Sequence, residues 1–287
     1  MRLYVVDAFT STPFSGNGAG VMVCGVPKDP KDPKDRPGAA RPSVLAPLAD
    51  PESQEARTVM QQVAAEVNLS ETAFTWKLAR SSYAIRYFTP TVEIALCGHA
   101  TLATAKVLWE TEMVPCDEPI VFRTGEGQNL RCDLDRGRVK MVFPCDKLEE
   151  LECEEKRQLM EALSLTESDI RDIYKGRLNS DHLVVVSGDA FYRLDQQLNM
   201  ALIQEVNEKM GVRGLIVTTR ATASDGEADI KSRFFCPNAG IPEDPVTGSS
   251  FPTLAAYYVP VLNKRSFVGL QDHPRRKGNV CSTALPN

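Results

Sequence analysis

No two of the eight cysteines form a Cys-x-x-Cys pair, which excludes a zinc ribbon, a thioredoxin-type redox motif and a small disulfide scaffold. Long apolar runs are missing as well; none approaches the ~18–20 residues that a membrane helix needs. There is no basic surplus, since 33 Lys and Arg stand against 38 Asp and Glu for a formal net charge of −5. Nucleic acid and anionic membrane are therefore poor partners. The first residues, Met1-Arg2-Leu3-Tyr4-Val5-Val6-Asp7, meet an acid too early for a secretory signal, and a cytoplasmic location is expected. What remains is an ordinary globular composition, 43% hydrophobic and 25% charged over 287 residues. That is enough for a large core and about two domains.

The order of the chain begins with a strand-forming run, Leu3 to Phe9, then the turn-rich Thr10-Ser11-Thr12-Pro13-Phe14-Ser15-Gly16-Asn17-Gly18, then a second apolar run from Ala19 to Cys24. A Lys-Asp-Pro tandem follows at Lys28 to Pro37, and prolines recur to Pro51. Repeated proline without an apolar period does not pack, so 28–50 reads as an extended, disordered-looking surface insertion. Ala56, Val59, Met60, Val63, Ala64 and Val67 then fall at helical spacing. Strand-like runs occupy Ala73-Phe74, Tyr83 to Phe88, Ile120 to Phe122, Asn129 to Leu134, Val139 to Phe143, His182 to Ser187 and Leu215 to Thr219. Helices are expected at Glu149 to Leu163 and Met200 to Met210. Many strands and few long helices make the class α+β.

The chain also repeats itself. Arg86-Tyr87-Phe88-Thr89-Pro90 is followed by Glu93 and then Cys97-Gly98-His99-Ala100-Thr101 before a helical stretch. Arg233-Phe234-Phe235-Cys236-Pro237, 147 residues later, is followed by Glu243 and then Thr247-Gly248-Ser249-Ser250 before another apolar stretch. A strand, a proline turn, an acid, a glycine tripeptide and a helix occur in the same order twice. Two structurally similar domains are expected, divided here as 1–118 and 119–287.

Both glycine tripeptides open a helix, where unpaired N–H groups and the dipole favour an anion. Two such ends facing one cleft would hold a small carboxylate on main-chain amides, with no basic side chain; otherwise they are well-capped core helices. Ser249 suits an N-cap position and Pro252 the first turn. Glu71, between Ser70 and the apolar Ala73-Phe74, is either a solvated carboxylate or one whose apolar wall raises its pKa, fit to take and return a proton. His99, near the start of its helix, would stay neutral and hydrogen-bond to a substrate. Asp244 would orient such a substrate or cap the turn before Pro245. Cys97 stands where a helix start favours a thiolate. A two-base racemase would need a second thiol where the repeat has Thr247, so Cys97 reads as structural.

These residues carry a family pattern. Asp7-Ala8-Phe9-Thr10, Pro13-Phe14-Ser15-Gly16-Asn17, Asn68-Leu69-Ser70-Glu71-Thr72-Ala73-Phe74, Arg86-Tyr87-Phe88-Thr89-Pro90, Leu96-Cys97-Gly98-His99-Ala100-Thr101 and Glu243-Asp244-Pro245-Val246-Thr247-Gly248-Ser249 occur in order over some 250 residues. The chain resembles the PhzF-like family, phenazine-biosynthesis-like isomerases related to diaminopimelate epimerase. The resemblance implies two similar domains, each a β-barrel-like sheet around a central helix, with the active site between them. It also implies a homodimer with no metal and no organic cofactor. The phenazine enzyme isomerises a dihydro-hydroxyanthranilate, one glutamate moving a proton between carbons; the matching residue here is Glu71. The family's substrate-contacting side chains fall on His99, Asp244 and Ser249, with Ser70, Gly98 and Gly248 beside them.

Three positions depart from that pattern. Gly18 stands where family members usually have proline, Phe251-Pro252 makes the second helix start bulkier, and the segment after Gln271 is expected to end roughly two strands short. The expected activity is proton movement between carbons of a small cyclic or unsaturated carboxylic acid, with Glu71, His99 and Asp244 catalytic and Ser70, Gly98, Gly248 and Ser249 binding substrate. The alternative is a non-enzymatic binding or regulatory protein that keeps the isomerase fold.

Overall fold

The apolar run after Gly18 lies in a strand buried along its whole length, β2 (Asn17–Cys24), as a strand with both faces covered must be. The computed structural model describes residues 2–24, 46–196 and 198–285. Its chain divides into two units, Met1–Ala8 with Gly18–Val142, and Phe9–Asn17 with Phe143–Asn287.

The first unit is an eight-stranded sheet in the order β1 (Arg2–Ala8), β2, β3 (Glu71–Ala79), β4 (Ser82–Phe88), β6 (Ile120–Thr124), β7 (Asn129–Asp135) and β8 (Arg138–Met141), with β5 (Glu93–Ile94) paired to β4. Side chains alternate across a strand, and the two faces of β2 and β3 carry different helices. Val21, Val23 and Ala73 pack with Tyr83, Ile85, Ile120 and Phe122 around helix α2 (Gly98–Glu110). Ten of the thirteen α2 residues are buried, and strands from β1 through β8 contribute to that one cluster, so the sheet curls round the helix. Met22, Phe74, Trp76 and Phe88 face the other way, onto helix α1 (Gln54–Val67). Burying side chains such as Leu108 and Phe122, both with no exposed surface, is worth about 1.5–3 kcal/mol each. Helix α1 begins at the Ser53 N-cap, whose hydroxyl accepts from Ala56 N, and ends at Asn68 in the left-handed region with φ 51°. That turn delivers Ser70 and Glu71 to the start of β3.

The second unit repeats the plan with β9 (Leu148–Glu150), β10 (Ile170–Gly176), β11 (Asp181–Val186), β12 (Gly214–Arg220), β13 (Ile230–Cys236), β15 (Ser266–Asp272) and β16 (Lys277–Thr283) side by side, and β14 (Ile241–Asp244) paired to β13. The parallel and antiparallel sequence matches: β2–β3 and β11–β12 are parallel, β3–β4 and β12–β13 antiparallel, β4–β6 and β13–β15 parallel. Helix α6 (Phe251–Leu262) packs on Leu183, Val185, Ile216, Phe234 and Phe267. Helices α3 (Cys153–Ala162), α4 (Gly188–Arg193) and α5 (Met200–Met210) cover the other face. The α+β class with two similar units therefore stands.

The structure differs from the sequence reading in four places. The unit boundary falls after Val142 rather than 118, because β6 pairs in parallel with β4 and takes β7 and β8 into the first sheet. Of the segment 28–50, residues 28–45 lie outside the described residues. Ala46–Ala49, however, is a 3-10 turn in which Leu48 is fully buried and its carbonyl accepts from Trp76 Nε1 at 2.8 Å. The stretch 149–163 opens as strand β9 before α3 starts, since Glu152 rather than a residue near 149 caps the helix. The segment expected to end short forms β16, which pairs with β15 over seven positions.

Candidate active site

In the first unit Glu71, the first residue of β3, is buried to 7% exposure and lies beside the start of α2. Its Oε2 is 3.3 Å from His99 Nε2, and the other ring nitrogen, Nδ1, is 3.3 Å from Cys97 Sγ. Burial pulls His99 down to about 3, so the ring is neutral at ordinary pH. Cys97 is the N-cap of α2 and makes no side-chain cap bond to a backbone N–H; the N–H groups of the first turn form the partial positive end of the helix. Ser70 is half-buried next to Glu71 and Gly98 is buried. Among the described residues the donor atoms of Glu71, Cys97 and His99 also lie within 4.8 Å of one another, close enough to share a cation. The thiol is nearest Nδ1 and the carboxylate nearest Nε2 of the ring.

In the second unit Asp244 ends β14 with 7% exposure. Asn17 Nδ2 donates to its Oδ1 at 2.7 Å and to Val246 O at 3.0 Å, and the Thr247 hydroxyl donates to its Oδ2. Gln271 Nε2 donates to Asp244 O at 2.7 Å while its Oε1 accepts from Thr247 N at 2.7 Å. Burial nonetheless pushes the Asp244 carboxyl up to about 6, against the opposing pull of Thr247, Asn17 and Arg213. The Asn17 side of this network is fastened by β16. Gly16 N donates to Lys277 O at 2.8 Å, Asn279 N to Phe9 O at 3.0 Å, and Arg276 Nε to Gly16 O at 3.0 Å. Gly278 must be glycine, since a Cβ there would come within 2.8 Å of Phe9 O.

Ser249 is not an N-cap. Gly248–Ser250 forms a 3-10 turn ahead of α6, whose N-cap is Ser250 and whose first turn contains Pro252. The Ser249 hydroxyl instead accepts from Arg213 Nη1 at 2.8 Å, and its carbonyl accepts from Asn179 Nδ2 at 2.8 Å. Arg213 is held by a bidentate pair with the fully buried Asp181 and lies 5.1 Å over the Phe234 ring. A basic side chain therefore stands at this turn, where main-chain amides alone were expected. Gly248 lies against Phe9, whose ring a Cβ would approach to 2.7 Å. Sequence reasoning missed three members. Asn17 sat in a quoted motif without a role, Cys97 was read as structural although it touches His99, and Arg213 is reached only through the parallel register of Asp181 with Gly214, which no local spacing announces.

The family model for phenazine biosynthesis-like proteins, PhzC-PhzF, matches residues 35–277. The chain belongs to the PhzC-PhzF family. A protein of Halalkalibacterium halodurans named as an uncharacterized isomerase is 34% identical over 275 residues, covering 95% of this chain and 87% of its own. The crystal structure of a PhzF-family phenazine biosynthesis protein from Enterococcus faecalis superposes with TM-score 0.73 at 29% identity, over 99% of this chain and 92% of that one. A hydroxyproline epimerase from Agrobacterium vitis shares the fold, with TM-score 0.56 at 16% identity over 97% and 87% of the two chains. The PhzC-PhzF assignment accounts for the paired sheets and places the chain in the wider epimerase-like fold. Among the described residues no helix is long and apolar enough to cross a membrane.

Proposed function

We propose that this PhzC-PhzF protein is an isomerase that moves a proton between two carbons of a small cyclic or unsaturated carboxylic acid. Glu71 takes the proton from one carbon as its carboxylate, the electron pair of that C–H bond shifts along the unsaturation, and the Glu71 carboxylic acid returns the proton to the carbon where the pair arrives. No net change of oxidation state occurs. His99, neutral and beside Glu71, orients the acceptor, while Asp244 and Ser249 engage polar groups of the substrate with the Gly98 and Gly248 turns. The observation that carries this reading is the approach of the buried Glu71 carboxylate to the buried, neutral His99 at 3.3 Å, in a chain whose relatives include a protein named as an isomerase.

General acid–base participation of this kind contributes about 10²–10⁴-fold in rate. The test follows deuterium uptake from deuterated water into dihydro-hydroxyanthranilate and a set of small cyclic carboxylates. Wild type is expected to exchange at least one of these, and Glu71→Gln to lose the exchange while keeping its thermal transition. A folded Glu71→Gln that exchanges at the wild-type rate defeats the mechanism.

A further inference from the structure

Resting on the substrate-binding role of Ser249 just proposed, we infer that Arg213 is a positioning residue, which aims the Ser249 hydroxyl as a hydrogen-bond donor at the substrate carboxylate. Arg213 Nη1 donates to Ser249 Oγ at 2.8 Å. An arginine has no acceptor, so the hydroxyl takes this bond on a lone pair and keeps its own proton for another partner. Among the described residues no group accepts that proton. A carboxylate only accepts, and it completes the set.

The guanidinium is held so that this direction is fixed. Nε donates to Asp181 Oδ1 at 2.9 Å and Nη2 to Asp181 Oδ2, and Asp181 has no exposed surface. One face of the group lies 5.1 Å over the Phe234 ring. Gly214 leaves room for that ring, since a Cβ there would come within 2.4 Å of it. Arg213 N donates to Ser180 O at 2.8 Å, and Asn179 Nδ2 holds the Ser249 carbonyl at 2.8 Å. A bidentate fork sets angle as well as distance, and donation from a charged group into Oγ makes its O–H a better donor. The repeat has the same plan in both units. Strand β3 opens with Glu71 beside His99, two residues past the N-cap Cys97; β12 opens directly after Arg213, which reaches Ser249, two residues past the N-cap Thr247. Arg213 acts on the substrate only through that hydroxyl.

The test is calorimetric titration of the full chain with benzoate, anthranilate and the carboxamide of each. Wild type is expected to bind at least one acid more tightly than its amide. Ser249→Ala should weaken binding of that acid about 10–100-fold. Arg213→Lys keeps the charge but not the fork, and should weaken it by a similar factor. Added to Ser249→Ala, it should weaken binding no further. On any substrate found in the exchange assay, Arg213→Lys should raise KM with kcat little changed. An arginine that only supports the fold, or that touches the ligand itself, weakens binding in both backgrounds, and that result overturns the inference. So does a folded Arg213→Lys that binds as wild type does. Wild type that binds neither acid, or Ser249→Ala that binds as tightly as wild type, overturns it even where Arg213→Lys fails to fold. Neither acid carries a proton for Glu71 to move between carbons, so the outcome is independent of whether Glu71→Gln abolishes exchange.

Discussion

Asp244→Asn should stabilise the protein at neutral pH while removing its activity, and the gain should disappear on acidification. Burial is the main reason that the Asp244 carboxyl is raised from 3.8 to about 6. A carboxyl whose folded pKa exceeds its unfolded one binds protons more tightly when folded. Stability therefore falls as pH rises from 3.8 through 6, and the ionised group costs about 3 kcal/mol above that window. Asparagine keeps the shape and still accepts from Asn17 Nδ2, but it exchanges the acceptor of the Thr247 hydroxyl for an NH₂ group. Losing that bond removes about 0.5–1.5 kcal/mol of the benefit, leaving a net gain of about 1.5–2.5 kcal/mol. The assay is urea unfolding of wild type and variant from about pH 4 to pH 8. The difference in unfolding free energy should grow across the acidic half of that range and level off above about pH 7. A difference that does not depend on pH, or a variant less stable than wild type at pH 7.5, refutes the reasoning.

Two other variants probe buried groups of the second unit. Arg213→Met leaves Asp181, which has no exposed surface, without its bidentate partner. A loss of about 3–5 kcal/mol is expected in urea unfolding, with recovery of part of it in the Arg213→Met, Asp181→Leu pair; equal stability of Arg213→Met and wild type would show that the pair is not holding β12 to β11. His182 is fully buried with no hydrogen-bond partner for either ring nitrogen among the described residues. Burial, helped by Lys175, lowers it to about 4. The unfolded chain then binds more protons between about 4 and 6.5, so up to about 3 kcal/mol of stability is lost as pH falls through that window. His182→Leu should remove this contribution, so that stability falls more with rising pH than in wild type, and an unchanged pH dependence in that variant counts against it. Because His182 and Asp244 pull in opposite directions over nearly the same range, the wild-type curve shows only their difference, and the variants are needed to separate them.

The parts of the fold that were legible in the sequence are those written in local periodicity. Helix α1 shows its apolar face at Ala56, Val59, Met60, Val63, Ala64 and Val67; Ala56, Val59, Met60 and Ala64 are buried and the two other valines partly so. The fully buried β2 reads as an unbroken apolar run. What stayed hidden depends on pairing between distant segments. The boundary at Val142 is set by which strand β6 chooses as neighbour, and nothing within 120–124 states that choice. Leu48 lies in a proline-rich surrounding whose composition argues for solvent, yet a single leucine and one carbonyl are enough to dock it on Trp76. Of the candidate site, Glu71, His99, Asp244 and Ser249 are the residues that the motifs single out. Arg213 is not among them, because a lone arginine after a glycine turn has no signature until the register of β11 with β12 puts Asp181 beside it.

The repeat itself separates scaffold from chemistry. In the first unit Arg86 of β4 grips Glu93 of β5 through two bonds of 2.7 and 3.1 Å; in the second Arg233 of β13 grips Glu243 of β14 through two bonds of 2.7 Å. Both guanidinium groups are buried to about the same extent, 6% and 5% exposed. Paired forks of this kind fix direction as well as distance, and each sets the turn from which a helix starts. Beyond that turn the two units part. One presents Cys97 and His99 to a carboxylate that can carry a proton, the other Thr247 and Ser249 to a network that holds Asp244 and Arg213 in place. The element common to both units is therefore the clamp beside a helix start, and the side chains on the two helix starts differ. Replacing either arginine should disturb both the stability of its own unit and the aim of its helix, whereas exchanging Cys97 or Ser249 should leave the fold of that unit intact.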